Sequence, residues 1–255
     1  MIPEAATALV ADLNGDGHTD WVIRNPDTRQ TTIWYLNNNV FIRSAEGPML
    51  AAGWDLRGMT DVSRGRSLDY VVFNPVTKQT ATTHLSASSF ANSAAGPTLP
   101  TGWMLAATAD LNRNGKTDYV LYEPSTGQTA IWYLDNGLLT LSVPGPSVPI
   151  SWSLAGISDF DGDGHPDYLL FNSITGETRV LYLAGAILIG SANGPIVPNG
   201  FALVATADFN GDGKPDYLLY NARTRQTAIW YMNDNIFVEG VFGPTLPVGW
   251  TLIDR

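Results

Sequence analysis

Asp208-Phe-Asn-Gly-Asp-Gly-Lys-Pro-Asp216 decides the fold, because its side-chain oxygens recur at alternate positions and four variants of it lie upstream at a constant interval. They are Asp12-Leu-Asn-Gly-Asp-Gly-His-Thr-Asp20, Asp61-Val-Ser-Arg-Gly-Arg-Ser-Leu-Asp69, Asp110-Leu-Asn-Arg-Asn-Gly-Lys-Thr-Asp118 and Asp159-Phe-Asp-Gly-Asp-Gly-His-Pro-Asp167. Their first aspartates, at 12, 61, 110, 159 and 208, are 49 residues apart every time. A period of that length marks a repeat architecture in which each unit is one supersecondary element.

Outward from each loop the pattern is that of strands. Seven residues before the first aspartate stands Trp54, Trp103, Trp152 or Phe201, with Trp250 one period later, and two residues on comes Leu56, Leu105, Leu154, Leu203 or Leu252. That alternation reads as a strand entering the loop. After the loop comes a short run, Tyr217-Leu-Leu-Tyr220 or its relatives Trp21-Val-Ile, Tyr70-Val-Val-Phe73, Tyr119-Val-Leu-Tyr122 and Tyr168-Leu-Leu-Phe171. Such a run, apolar on both faces, predicts a strand covered on both sides.

A turn such as Asn25-Pro-Asp-Thr-Arg29 leads to a third strand, Thr31-Thr-Ile-Trp-Tyr-Leu36, Thr129-Ala-Ile-Trp-Tyr-Leu134 or Thr227-Ala-Ile-Trp-Tyr-Met232. Turn residues between β-branched and aromatic runs signal a hairpin. A looser fourth strand follows, for instance Ile236-Phe-Val-Glu-Gly-Val241, and each unit closes on a Gly-Pro pair at 47, 96, 145, 194 or 243, which reads as a turn into the next unit. No amphipathic helix is evident.

Four antiparallel strands per 49 residues predict an all-β chain folded as a single five-bladed β-propeller over residues 1–255, with loop-anchored units 12–60, 61–109, 110–158, 159–207 and 208–255. Residue 255 falls one full turn after residue 10, so the C-terminal Gly249-Trp-Thr-Leu-Ile-Asp-Arg255 overlaps the N-terminus in register. The N-terminal copy has Ala5 and Thr7 where other units have an aromatic residue and a leucine, so Trp250 and Leu252 are expected to complete blade one and close the ring.

Composition narrows the function. The net charge is −10, but 14 of the 24 acids are loop aspartates, so the acidity is local. The 14 Lys and Arg form no stripe, which argues against nucleic acid as a partner, and no apolar stretch approaches the ~18 residues of a membrane helix. The absence of cysteine excludes disulfides, thiolate metal sites and cysteine nucleophiles. Met1-Ile-Pro-Glu-Ala-Ala lacks the basic and apolar regions of a signal peptide. The chain is therefore expected to be either cytoplasmic or a mature or excised domain without its targeting segment.

Oxygens at loop positions 1, 3, 5 and 9, with a backbone carbonyl near 7, suit a hard cation taking six to eight oxygens, and glycines at 4 and 6 permit the curl. Calcium is the expected ion. Magnesium demands a stricter octahedron, and zinc prefers nitrogen or sulfur. Position 12 is Ile23, Val72, Leu121, Leu170 or Leu219, which excludes an EF-hand. The competing reading, solvated Asx and Gly turns without an ion, does not require the ladder of oxygens.

These loops, each followed by an aromatic-aliphatic strand, resemble the FG-GAP/VCBS repeat of integrin α-subunit propellers, bacterial secreted repeat proteins and fungal propeller lectins. The resemblance implies calcium in the hairpin between a blade's first two strands, an extracellular or cell-surface location, and use as a binding surface. Carried over by position, it implies as ligands Asp12, Asn14, Asp16, the His18 carbonyl and Asp20 in the first loop, and Asp110, Asn112, Asn114, the Lys116 carbonyl and Asp118 in the third. The fourth would use Asp159, Asp161, Asp163, the His165 carbonyl and Asp167, and the fifth Asp208, Asn210, Asp212, the Lys214 carbonyl and Asp216. The second departs from the pattern, with Ser63, Gly65 and two arginines, Arg64 and Arg66, and is expected to hold no metal. At most four ions are thus expected, with the third loop weakest because it has two carboxylates.

Outside the loops no repeated carboxylate pair and no Gly-x-Ser-x-Gly appears, so a non-enzymatic protein is expected. His18 and His165 read as solvated side chains, and His84, replacing the third-strand tyrosine, as packing or rim. Trp34, Trp132 and Trp230, with Thr83 and Leu181 at the same position in units two and four, and the series Trp54, Trp103, Trp152 and Trp250 are either inter-blade core or walls of grooves that stack on sugars. The expectation is a calcium-binding, lectin-like module meeting a glycan or an extracellular protein, without membrane insertion. A protein-adhesion module and a structural or designed scaffold are the alternatives.

Overall fold

The computed structural model describes residues 9–60, 69–86 and 89–252, and of residues 60, 85, 86 and 89–92 the backbone alone. Every named element in it is a β-strand. Blade one consists of β1 (Leu9–Ala11), β2 (Asp20–Arg24), β3 (Gln30–Asn37) and β4 (Val40–Met49). Blade two has β5 (Asp55–Thr60), β6 (Asp69–Phe73), β7 (Gln79–Ser86) and β8 (Ser89–Thr98), and blade three β9 (Met104–Ala109), β10 (Asp118–Glu123), β11 (Gln128–Asp135) and β12 (Leu138–Pro144). Blade four has β13 (Ser153–Ser158), β14 (Asp167–Phe171), β15 (Thr178–Ala184) and β16 (Ile187–Asn193), and blade five β17 (Ala202–Ala207), β18 (Asp216–Asn221), β19 (Gln226–Asn233) and β20 (Ile236–Phe242). Each is a four-stranded antiparallel meander paired in chain order. The five together form a β-propeller.

The innermost strands β1, β5, β9, β13 and β17 line an axial channel of about 190 Å³. Neighbouring inner strands approach closely at glycines: a Cβ added to Gly58 would lie 2.1 Å from Thr108 Oγ1, and one added to Gly156 2.5 Å from Thr206 Cγ2. The second strands are the most enclosed, with every residue of β6 and β14 buried, as their apolar runs predict. The third strands alternate in burial instead, so only the second is covered throughout.

The buried apolar side chains fall into five clusters, each spanning one boundary between blades. Trp21, Ile23 and Trp34 of blade one pack with Val204, Leu218 and Ile229 of blade five, for example, and Val120 and Ile131 of blade three with Leu154 and Leu170 of blade four. The core therefore lies between sheets rather than within one, and no blade can bury its faces alone.

The ring closes as the overlap predicts. Thr251 pairs with Arg24, the last residue of β2, where Asp55 pairs with Phe73 in blade two. Leu252 is buried in the cluster between blades five and one, with Trp250 packed against it. Residues 253–255, and Ala5 and Thr7 of the N-terminal copy, lie outside the described residues.

The Gly-Pro pairs are more than turns. Gly47-Pro48 and Gly96-Pro97 lie inside β4 and β8, and in every blade the first threonine of the third strand donates its hydroxyl to the proline carbonyl at 2.7 Å. The backbone comes so close that a Cβ on Gly145 would lie 2.4 Å from Thr129 Oγ1 and 3.0 Å from the hydroxyl of Tyr168 in the next blade. Glycine is needed there for space, not for φ.

Candidate metal centre

The loops that carry the oxygen ladder join the first and second strands of each blade, on the same side of the ring as the turns between strands three and four. Lys116 reaches across that side to Asp135 at 2.5 Å, and Lys214 to Asn233 at 2.8 Å. Thr19 Oγ1 donates to the carbonyl of Asp208 at 2.8 Å, tying the first loop to the fifth.

Backbone amides gather the ladder. In the fourth loop Asp159 Oδ1 accepts the Gly162 N–H and Oδ2 the Gly164 N–H, each at 2.8 Å. Asp161 accepts from Asp163 N–H at 3.1 Å, and Asp163 from His165 N–H at 2.7 Å. Asp208, Asn210 and Asp212 of the fifth loop repeat this scheme, as do Asp12, Asn14 and Asp16 of the first, while in the third Asp110 accepts from the Asn114 and Gly115 N–H, Asn112 from Asn114 and Asn114 from Lys116. Gly162 and Gly164 adopt φ of +78° and +87°, the left-handed values that let the chain curl under its own side chains. In the third loop Arg113 takes such a value, φ 61°. Its guanidinium rests on the fourth loop, where a Cβ on Gly164 would lie 2.6 Å from Nη1.

The ninth-position aspartates, Asp20, Asp118, Asp167 and Asp216, are fully buried. Asp167 Oδ2 accepts the Phe160 N–H at 2.9 Å and its Oδ1 the Leu183 N–H at 2.8 Å, so one carboxylate binds its own loop to the third strand. Asp20, Asp118 and Asp216 do the same through Leu36, Leu134 and Met232. Burial pushes Asp167 and Asp216 up to about 6 from an ordinary 3.8, backbone amides act in the opposite sense, and neighbouring loop carboxylates raise them further. Asp20 and Asp118 are raised for the same leading reason. Asp16, exposed, is lowered by hydrogen bonds from Asn14 and the His18 N–H.

Among the described residues, one trio of carboxylates meets at metal-ligand distance: Asp159, Asp161 and Asp167, with an oxygen from each lying within 4.8 Å of the others. Oxygens bound to a calcium ion at ~2.3–2.6 Å lie at most about 5 Å apart across it, so this donor set fits a hard cation in chemistry and span. Asp163 stands outside the trio. The first, third and fifth loops have asparagine at the third position and gather fewer carboxylates.

The second loop, 61–68, lies outside the described residues. Its ninth position is described, and there His84 Nδ1 stands 2.5 Å from Asp69 Oδ1. His84, a partly exposed residue consistent with the rim, is therefore also set against this blade's ninth-position carboxylate, a pairing its sequence position does not reveal. His165 is half-buried, with Nδ1 shielded and lacking a hydrogen-bond partner, and His18 is also half-buried, so neither is the fully solvated side chain expected.

Trp34, Trp132 and Trp152 are buried and Trp54, Trp103, Trp230 and Trp250 partly so, all in the clusters between blades. Phe41 and Phe237 cover the edges of Trp34 and Trp230, each with ring centroids 4.9 Å apart.

Residues 159–219, from the fourth loop into β18, match the FG-GAP-like repeat family model. No curated protein matches the chain in sequence. Among solved structures it is similar to a protein of unknown function from Bacteroides caccae at 13% identity and TM-score 0.47, covering 86% of this chain and 71% of that one. It is also similar to the Tc holotoxin pore of Photorhabdus luminescens, at 17% identity and TM-score 0.50 over 88% of this chain. The chain spans only 12% of that toxin chain, and the likeness is one of fold.

Proposed function

From the premise that this chain is an FG-GAP repeat β-propeller, we propose that it is a calcium-clasped, non-enzymatic recognition module working outside the cell or at its surface. The observation that carries the calcium reading is the meeting of Asp159, Asp161 and Asp167. Asp163, outside the trio, and the His165 carbonyl would have to turn in to complete that site, and the matching groups of the first, third and fifth loops would form the others. A bound ion would supply positive charge to carboxylates crowded together by the loop. The protein's own atoms do the rest: amides aim the oxygens, and the ninth aspartate ties each loop to its third strand.

The propeller, taken as 1–255, is proposed to act as one folding unit, which is supported by each apolar cluster among the described residues belonging to two blades. No helix among the described residues is long and apolar enough to cross a membrane.

Carbohydrate is the leading ligand class, supported by the partly exposed rings of Trp54, Trp103 and Trp250 at successive boundaries between blades. Repetition around the ring provides avidity from weak single contacts. A glycan array probed with calcium present and again with chelator tests this: calcium-dependent binding to a defined group of glycans is expected, and a blank array in both conditions contradicts it. A protein partner is the second reading. It is favoured by apolar residues exposed where the outer strands begin, among them Ile42 at 58%, Leu138 at 71%, Ile187 at 68% and Ile236 at 61%.

A further inference from the structure

Blade two departs from its sisters in one respect that its degenerate loop does not explain. At the third-strand position filled by Trp34, Trp132 and Trp230 it has Thr83, and there the surface opens into a slot of about 280 Å³ lined by Leu50, Ala51, Trp54, Val72, Ala81, Thr83 and Ser93. The slot is overwhelmingly apolar, and among its described lining residues Thr83 and Ser93 bring the only hydroxyls.

The sister blades show what such walls hold. The indole of Trp132 is buried in a cluster with Leu99, Leu121, Trp103 and Ala130, the counterparts one period on of Leu50, Val72, Trp54 and Ala81. Trp230 packs likewise with Val197, Leu219, Phe201 and Ala228, and Trp34 with Leu246, Ile23 and Trp250. In blade four Leu181 occupies the position and is buried against Val148, Leu170 and Trp152. The walls in blade two are thus the same, while the side chain they enclose elsewhere is shortened to a threonine.

We infer that this slot is a binding site for an indole-sized planar aromatic ligand. An enclosed apolar cavity of ~150 Å³ takes up benzene, and this slot, though open to solvent, has about 280 Å³ and an aromatic wall in Trp54. It opens to solvent beside exposed Ser93, so the ring enters and any polar substituent remains at the mouth. The Thr83 side chain in the lining does not fill the volume that an indole takes in the other blades. Trp54 is shared with the glycan reading, but the slot rests on the missing indole at Thr83, and a blank glycan array leaves it untouched.

Indole itself is the probe, titrated by calorimetry into the full chain with calcium present, beside glucose as a control. Saturable binding of one indole per chain is expected, and any glucose signal should survive Thr83→Leu unchanged. Thr83→Trp fills the slot with the residue that three sister blades use and should abolish the indole signal. Thr83→Leu, the blade-four residue, should weaken binding about tenfold or more and carries the test should the tryptophan variant fail to fold. Absence of saturable indole binding in the parent chain, or undiminished binding in the folded variants, overturns the inference. So does a glucose signal that Thr83→Leu removes together with the indole signal.

Discussion

Arg24 and Thr251 exchange both backbone hydrogen bonds, at 2.9 and 2.8 Å, and so sew the C-terminal segment onto the second strand of blade one. Leu252, next to that bridge, is 4% exposed and packs among residues of both blades. Leu252→Ala should therefore cost about 3 kcal/mol, from lost burial and the cavity left behind, lowering Tm by roughly 10 °C. Deleting 249–255 should lower it further. Thermal unfolding followed by circular dichroism checks both, and an unchanged midpoint after deletion contradicts closure by this segment.

The clasp between Thr129 and Pro146, at 2.7 Å, predicts a coupled pair of substitutions. Gly145→Ala pushes a methyl into the Thr129 hydroxyl and should cost about 1–3 kcal/mol through overpacking, and Thr129→Ala alone about 1 kcal/mol through the lost hydrogen bond. The double variant should be less destabilised than the sum, since the shortened side chain makes room for the methyl. Additive losses in urea denaturation contradict the close approach.

The 49-residue period, the apolar second strands and the spare Trp250 and Leu252 made the blades and their closure legible before any coordinates, because burial and register follow directly from spacing. The threonine-to-proline clasps were not legible. Gly-Pro reads as a turn, and only the approach of two chains 17 residues apart shows why glycine is required. The loop oxygens were legible as a ladder, but not the engagement of both ninth-position carboxylate oxygens by backbone amides, since one partner, Leu183 for Asp167, lies 16 residues away. The tryptophans left core and groove open, because side-chain type cannot distinguish them. The slot at Thr83 depends on that distinction: it exists only because the walls of the other indole sites are retained around a smaller residue.

Removing calcium should expose a pH dependence. In the cation-free chain burial holds Asp167 and Asp216 up at about 6 against an ordinary 3.8, so the folded state binds these protons more tightly than the unfolded one. Their contribution to stability is complete below the ordinary value and is lost as pH rises through the folded value. In chelator, Tm should therefore fall between roughly pH 4 and 6.5, and Asp167→Asn should flatten part of that fall. With saturating calcium the ionised forms are the ones that bind, and the fall should vanish or reverse. Superimposable pH profiles with and without calcium contradict this account of the loops.

The most direct measurement is a calorimetric calcium titration of the chelator-stripped protein, paired with Tm. The parent chain should bind calcium saturably, with up to four ions per chain from the four loops that keep the full ladder, and gain thermal stability as they fill. Asp159→Ala combined with Asp161→Ala should remove one ion and leave the rest. If the parent chain shows no saturable calcium binding and no rise in Tm, the loops are solvated turns and the calcium-clasped account is wrong.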